Sequence, residues 1–297
     1  MEYLSPQEYR FFITACSKIK ISFGPFCSIE EQFMRHLFNV FINLKNPEEL
    51  KSLLELSNEM RVDFLRMFKD KPFMDGDLSH CCLMNNPTSF KLITDFGRLN
   101  EYQRRMGGLY LLHTAKFLQD FDYELSQKIV RQQLNELAEE DDNIPVQLRA
   151  YQVLCLYMGF LYGKKHPSFY YAIILLILWS SIPDPFLTFD DFEKSFAWMD
   201  LDTLMKTTKA WEWYYVLVRG PDSQEDGPRS LQHLARCTIR RSLKECFQLP
   251  NGIERLDIPK RLKQYLTLGD FKNGLTLNGE ENNMIETLFQ YRQQFLQ

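Results

Sequence analysis

Residues able to do covalent or metal chemistry are present but badly arranged for it. His80-Cys81-Cys82 sets three metal-ligating types side by side. Adjacent residues rarely converge on one ion, and no Cys-x-x-Cys pair stands elsewhere, so no zinc site is expected. His113 lies in an apolar run and His36 beside Leu37, where each reads as a packed histidine rather than a base. Gly107-Gly108 alone does not make a phosphate cradle, and no P-loop, dinucleotide fingerprint or Gly-x-Ser-x-Gly elbow is present. Asp and Glu pairs are too common here to nominate an acid–base couple. The expectation is a protein that is not an enzyme and needs neither metal nor cofactor.

The chemistry that remains is that of association. Ser230 opens a segment in which Leu231, Leu234, Cys237 or Thr238, and Ile239 fall on one helical face, with Ala235 between them. Ser230 serves as the cap. So short a helix is marginal alone in water and must pack on something. Leu231, near its start, can project into a partner's pocket. Downstream, Leu249-Pro250 ends one segment and Leu256-Asp257-Ile258-Pro259 leads into a helix carrying Leu262, Tyr265 and Leu266. Pro259 suits the first turn of that helix.

The elements that must position these residues are helical. The chain has 297 residues, 45% apolar and 25% charged, which fits a globular protein of one large or two ordinary domains. Twenty-four Phe and 14 Tyr allow a substantial core, and only 13 Gly and 13 Pro argue against an all-β chain. A net charge of −4 gives no general attraction to nucleic acid or acidic membrane, so neither is an expected partner. Seven cysteines at irregular spacing, and an opening Met1-Glu2-Tyr3 unlike a secretory leader, point to a reduced intracellular compartment, cytoplasm or nucleus. The apolar run 169–182 covers 14 residues, short of the roughly 20 a membrane span needs.

Helix signals recur. Ser28-Ile29-Glu30-Glu31 is a capping box, and Asn46-Pro47-Glu48-Glu49 sets a cap, a first-turn proline and early acids before Leu50, Leu53 and Leu54, with Met60, Phe64, Met67 and Phe68 following as a further apolar series. Further helices are expected over Leu109–Leu118, Phe121–Leu137, Val146–Tyr162 and Ser168–Ile182. Another follows the cap Thr188-Phe189-Asp190-Asp191. No alternating strand pattern is convincing. The fold class is all-α, a bundle or a stack of helix pairs. Glu139-Glu140-Asp141-Asp142 reads as solvated surface. Residues 219–228, with four Gly or Pro and no large apolar side chain, read as a linker. They divide a helical domain, residues 1–218, from a C-terminal module at 229–268. A tail over 269–297 follows, in which Met284, Ile285, Leu288, Tyr291 and Phe295 suggest an amphipathic helix.

Ser230, Leu231, Ala235 and Ile239 resemble the elongin-binding box of SOCS-box proteins, which wants a small residue, Leu, three variable residues, a small residue, and an aliphatic four positions on. Ala235 replaces the usual Cys. Leu234-Ala235-Arg236 and Ile239-Arg240-Arg241 are similar to the ankyrin-repeat-containing branch of the family. Leu256, Ile258, Pro259, Leu262 and Tyr265 resemble the cullin-selecting box, with Asp257 where proline is usual.

The resemblance implies a three-helix module. Elongins B and C would bind at Ser230, Leu231, Leu234, Ala235 and Ile239, and a SOCS-type cullin with its RING subunit at Leu256, Ile258, Pro259, Leu262 and Tyr265. It implies a substrate-recruiting adaptor of a ubiquitin ligase, with residues 1–218 holding an unidentified protein client. The rival reading is a helical scaffold whose C-terminal hairpin only completes its own core. Leu109-Tyr110-Leu111-Leu112-His113-Thr114-Ala115 faintly echoes an ankyrin turn, but no 33-residue period is visible. Residues 1–218 are thus either degenerate ankyrin-like helix pairs or an unrelated helical domain. Client contact is expected at Arg104-Arg105-Met106 or at Trp211-Glu212-Trp213-Tyr214-Tyr215, the latter also explicable as core.

Overall fold

The computed structural model describes residues 6–19, 47–62, 87–96, 122, 124–129, 144–163, 167–219 and 229–269. All regular structure among them is helical. In chain order the helices are α1 (Pro6–Ile19), α2 (Pro47–Glu59), α3 (Pro87–Phe96), α4 (Ile144–Tyr162), α5 (Phe169–Ser181), α6 (Phe189–Ser195), α7 (Leu201–Arg219), α8 (Leu231–Glu245) and α9 (Lys260–Leu266). A 3-10 turn, Asn251–Arg255, joins the last two. The helices expected around Ser28 and across 109–118, most of 121–137, residues 220–228 of the linker, and the tail beyond Gly269 lie outside the described residues.

Local signals explain the boundaries. Pro47 starts α2 with Glu48 and Glu49 in its first turn, where acids favour the helix dipole. Leu50, Leu53, Leu54 and Leu56 form its buried face. It ends in a Schellman motif: Val62 N donates to Ser57 O at 2.9 Å and Arg61 N to Asn58 O at 3.1 Å, with Arg61 left-handed at φ 53. The helix therefore stops at Glu59, with Met60 in the turn that follows, and Phe64, Met67 and Phe68 of the expected further series lie outside the described residues. Thr188 caps α6 reciprocally: its hydroxyl accepts from Asp191 N at 3.1 Å while its own N–H donates to Asp191 Oδ2 at 2.9 Å.

Helix α5 is the centre of the domain. It is apolar all round, with Ile174, Leu175, Ile177 and Leu178 fully buried, and it packs on α3, α4 and α7. Gly159 lets α4 approach: a Cβ there would lie 2.5 Å from the Tyr171 ring. Trp179 meets Tyr214 edge-on at 4.7 Å, and Trp213 packs on Tyr157 and Phe160. No described helix is long and apolar enough to cross a membrane.

Beyond α7, which runs through Arg219, residues 231–266 form a small second layer. Leu243, Leu249, Ile253 and Leu266 make its own core, with Leu256 and Ile258 against it. Leu268, just past α9, enters the main core instead.

Candidate functional site: an outward-facing helix on a polar seat

Helix α8 carries its side chains in an unusual order. Ser230 caps it, its hydroxyl accepting from His233 N at 3.2 Å. One face holds Leu231, Ala235 and Ile239, all exposed, with Leu231 at 85%. The opposite face holds His233, Arg236, Cys237, Arg240 and Leu243, all buried. Cys237 thus lies behind the apolar stripe, not on it, and Leu234 is half-buried at the edge. Polar side chains face the protein and apolar ones face water, the reverse of an ordinary surface helix.

The inward polar side chains are hydrogen-bonded, although Nε of Arg229 and Nε of Arg240 are buried without a partner. Arg240, 2% exposed, donates from Nη1 to Leu266 O at 2.6 Å and from Nη2 to Asp95 Oδ1 at 2.7 Å. Lys91 Nζ bridges to the other Asp95 oxygen at 2.6 Å. Burial alone would raise the Asp95 carboxyl, but Arg240 and Lys91 outweigh it and hold the group below its ordinary range. His233 lies with Nε2 at 2.8 Å from Ile182 O and Nδ1 at 2.9 Å from Arg236 Nη2. Neutral imidazole can accept from Arg236 at Nδ1 and donate to Ile182 O from Nε2, with Arg229 Nη2 also 2.7 Å from Nε2. Burial, then the neighbouring Arg229, pulls its pKa down to about 4. Arg229 donates to the carbonyls of Trp179 and Ile182 and lies over the Phe186 ring at 4.5 Å. Residues at the start of α8 therefore cap the C-terminal end of α5. A further link joins Asn58 Nδ2 to Leu249 O at 2.6 Å.

The second group of expected contact residues lies around α9. Leu256 and Ile258 are half-buried against the small core, while Pro259 and Leu262 are exposed. Pro259 occupies the N-cap, one position earlier than the first turn, and its carbonyl accepts from Leu262 N and Lys263 N. Leu262 and Leu266 point to opposite sides, the latter buried. Tyr265 rests on the Arg236 guanidinium at 4.3 Å. Between the first turn of α8 and α9 lies a cleft of about 480 Å³ lined by Gln232, Arg261, Leu262, Gln264 and Tyr265.

Elsewhere, Trp213 and Tyr214 belong to the core. Trp211 and Tyr215 stack at 5.1 Å and are half-buried, with the exposed Phe189 edge-on to Trp211. Among the described residues no group of three or more His, Cys, Asp or Glu is placed to hold a metal. His36, His80, Cys81, Cys82, Arg104, Arg105, Gly107, Gly108 and His113 lie outside them.

The polar seat was the part that sequence reasoning missed. Its signal was available in His233, Arg236 and Arg240, spaced 3 and 4 apart on the side of α8 away from Leu231.

The described helices and this module define the class: an all-α protein whose C-terminal end is a SOCS box. The family model "SOCS box" matches residues 227–267. Stretches of the chain are similar to ankyrin repeat and SOCS box proteins. Human "Ankyrin repeat and SOCS box protein 10" is 40% identical over 74 residues, 25% of this chain and 14% of that protein. Dog "Ankyrin repeat and SOCS box protein 17" is 48% identical over 48 residues, 16% of each. The matched stretches span at most about a sixth of these relatives. No solved structure matches the chain. Two α-helices and a 3-10 turn stand where the resemblance implied three helices.

Proposed function

We propose that the chain is a non-catalytic adaptor of an elongin–cullin–RING ubiquitin ligase, with residues 229–268 recruiting the ligase and residues 1–218 holding a protein client. The observation that carries this reading is the outward stripe of Leu231, Ala235 and Ile239 on a helix whose polar side chains are buried. An exposed apolar stripe backed by a buried, hydrogen-bonded polar seat is costly for a lone protein and useful for one with a partner. Elongin C is the partner the box pattern implies, with Leu231 as anchor and Ser230 and Leu234 at its margins. Leu256, Ile258, Pro259, Leu262 and Tyr265 would set cullin capture, and the half-exposed Phe189, Trp211 and Tyr215 are the described candidates for client contact. The tail over 269–297 is assigned no role in recruitment.

The scaffold alternative draws support from Leu268, which seats in the main core. It gives no account of the exposed Leu231. Co-purification of the full chain with elongins B and C separates the two. Truncating a buried aliphatic anchor typically costs about 2–4 kcal/mol of affinity. The double variant Leu231→Ala with Ala235→Phe is expected to abolish capture. If it pulls down both elongins as well as wild type does, the assignment is wrong.

A further inference from the structure

We infer that the outer face of α6 and α7 is a docking site for an arginine-bearing basic segment of a protein, and that this segment is the client's. The inference rests on the adaptor reading and gives the client a chemistry. Aromatic rings form a row on this face. Phe189, 42% exposed, meets Trp211 edge-on at 5.2 Å, and Trp211 stacks on Tyr215 at 5.1 Å. The row continues through the chain's own cations. Arg219 lies over the Tyr215 ring at 5.4 Å and the Phe186 ring at 4.8 Å, and Arg229 lies over Phe186 at 4.5 Å. Ring and guanidinium alternate at that end, as the negative face of an aromatic ring favours. The other end is open: among the described residues no cation stacks on Phe189 or Trp211.

The free charge at the open end is negative. Glu193 follows Phe189 by four positions on α6, and Glu212 precedes Tyr215 by three on α7, so each carboxylate shares a side of its helix with a ring of the row. Both glutamates are exposed, and among the described residues neither is in an ion pair. The neighbouring cations are engaged elsewhere: Lys194 is held by Asp190 at 2.6 Å, and Lys206 by Asp122. Lys209 is half-buried one turn before Glu212 and leaves the two glutamates in excess. Open rings beside unpaired carboxylates suit a guanidinium, which offers its flat face to a ring and its fork to a carboxylate. The same carboxylates repel phosphate, which argues against nucleic acid. A wholly apolar segment would leave the glutamates without a role. At its inner end the row reaches Arg229, immediately before the Ser230 cap, so it runs outward from the start of the ligase-recruiting helix.

The test uses the full chain co-expressed with elongins B and C, and fluorescein-labelled glycine-serine peptides that carry arginine, lysine or citrulline at the same positions. Binding is read by fluorescence anisotropy. The arginine peptide is expected to bind and the lysine peptide to bind less tightly. The citrulline peptide, which keeps the shape and loses the charge, should bind about tenfold more weakly. Phe189→Ser, and separately Glu193→Gln with Glu212→Gln, should each weaken the arginine peptide by about fivefold, and Glu193→Lys with Glu212→Lys should abolish its binding. These side chains are exposed, so melting temperature and elongin co-purification should match wild type in every variant. Absence of arginine-peptide binding, equal binding of the citrulline peptide, or binding indifferent to the glutamate variants overturns the inference. So does a dimer of the chain that Phe189→Ser disperses, because a second copy would then own the face. Each of these results, with elongins still bound, leaves the adaptor reading standing. Failure of the wild-type chain to hold elongins sinks that reading, and the assignment of the segment to a client with it.

Discussion

Helices α5 and α8 are similar in length and opposite in design. Helix α5 buries Ile174, Leu175, Ile177 and Leu178 and holds the domain together. Helix α8 buries a histidine and two arginines and turns Leu231, Ala235 and Ile239 to water. Burying leucine stabilises a fold, whereas burying guanidinium does so only while every partner is in place. A helix built the second way gives up stability for an apolar face that is available to another chain.

The largest test removes the partner of a buried charge. Asp95→Ala leaves Arg240 and Lys91 without their carboxylate inside the protein and is expected to cost about 3–5 kcal/mol in chemical denaturation. A loss below about 1 kcal/mol would mean that the module is seated by its apolar contacts instead. Next comes the same substitution on the two helices. Leu175→Ala should cost about 2–5 kcal/mol, and Leu231→Ala should stay within about 0.5 kcal/mol. Equal losses would erase the distinction between a core helix and a docking helix.

The remaining test is a pH dependence. The folded His233 pKa of about 4 lies below the ordinary histidine value of 6.5. Between those values the unfolded chain binds a proton that the folded chain does not, so stability falls as pH drops from 6.5 towards 4. The slope is at most one proton's worth, about 1.4 kcal/mol per pH unit. Denaturation midpoints of wild type and His233→Gln across that window measure it. A slope that survives the substitution belongs to another group.

Much of the apolar half of this contrast was legible. Continuous apolar runs marked α4 and α5, and Thr188 with Asp191 marked the start of α6, because burial and capping leave local patterns. The face read as Leu231, Leu234, Cys237 or Thr238, and Ile239 was legible only in part, for Leu231 and Ile239 are exposed with Ala235 whereas Cys237 is buried and Leu234 half-buried. The polar half was not. Arg240 meets Asp95 across 145 residues and His233 meets Ile182 across 51, and no periodicity encodes such pairings. Helix ends were also obscured. Arg61, Phe247 and Leu268 adopt the left-handed position that glycine usually signals, each followed by a Schellman bond. The linker reading divided the chain at 219–228 into a helical domain and a C-terminal module. The Arg229, His233 and Arg240 bonds seat the second firmly on the first.

Those bonds set an order of events during synthesis. The carbonyls of Trp179 and Ile182 close α5, yet the side chain of Arg229 that satisfies them lies 50 and 47 residues further along. The most apolar of the described helices thus leaves the ribosome before the groups that finish it exist. A nascent chain stalled or cleaved ahead of Arg229 exposes that end to water and to chaperones. The exposed stripe of Leu231, Ala235 and Ile239 and the groups that complete α5 then arrive together, in the same dozen residues, so that on the adaptor reading an unfinished copy also lacks its elongin-facing helix.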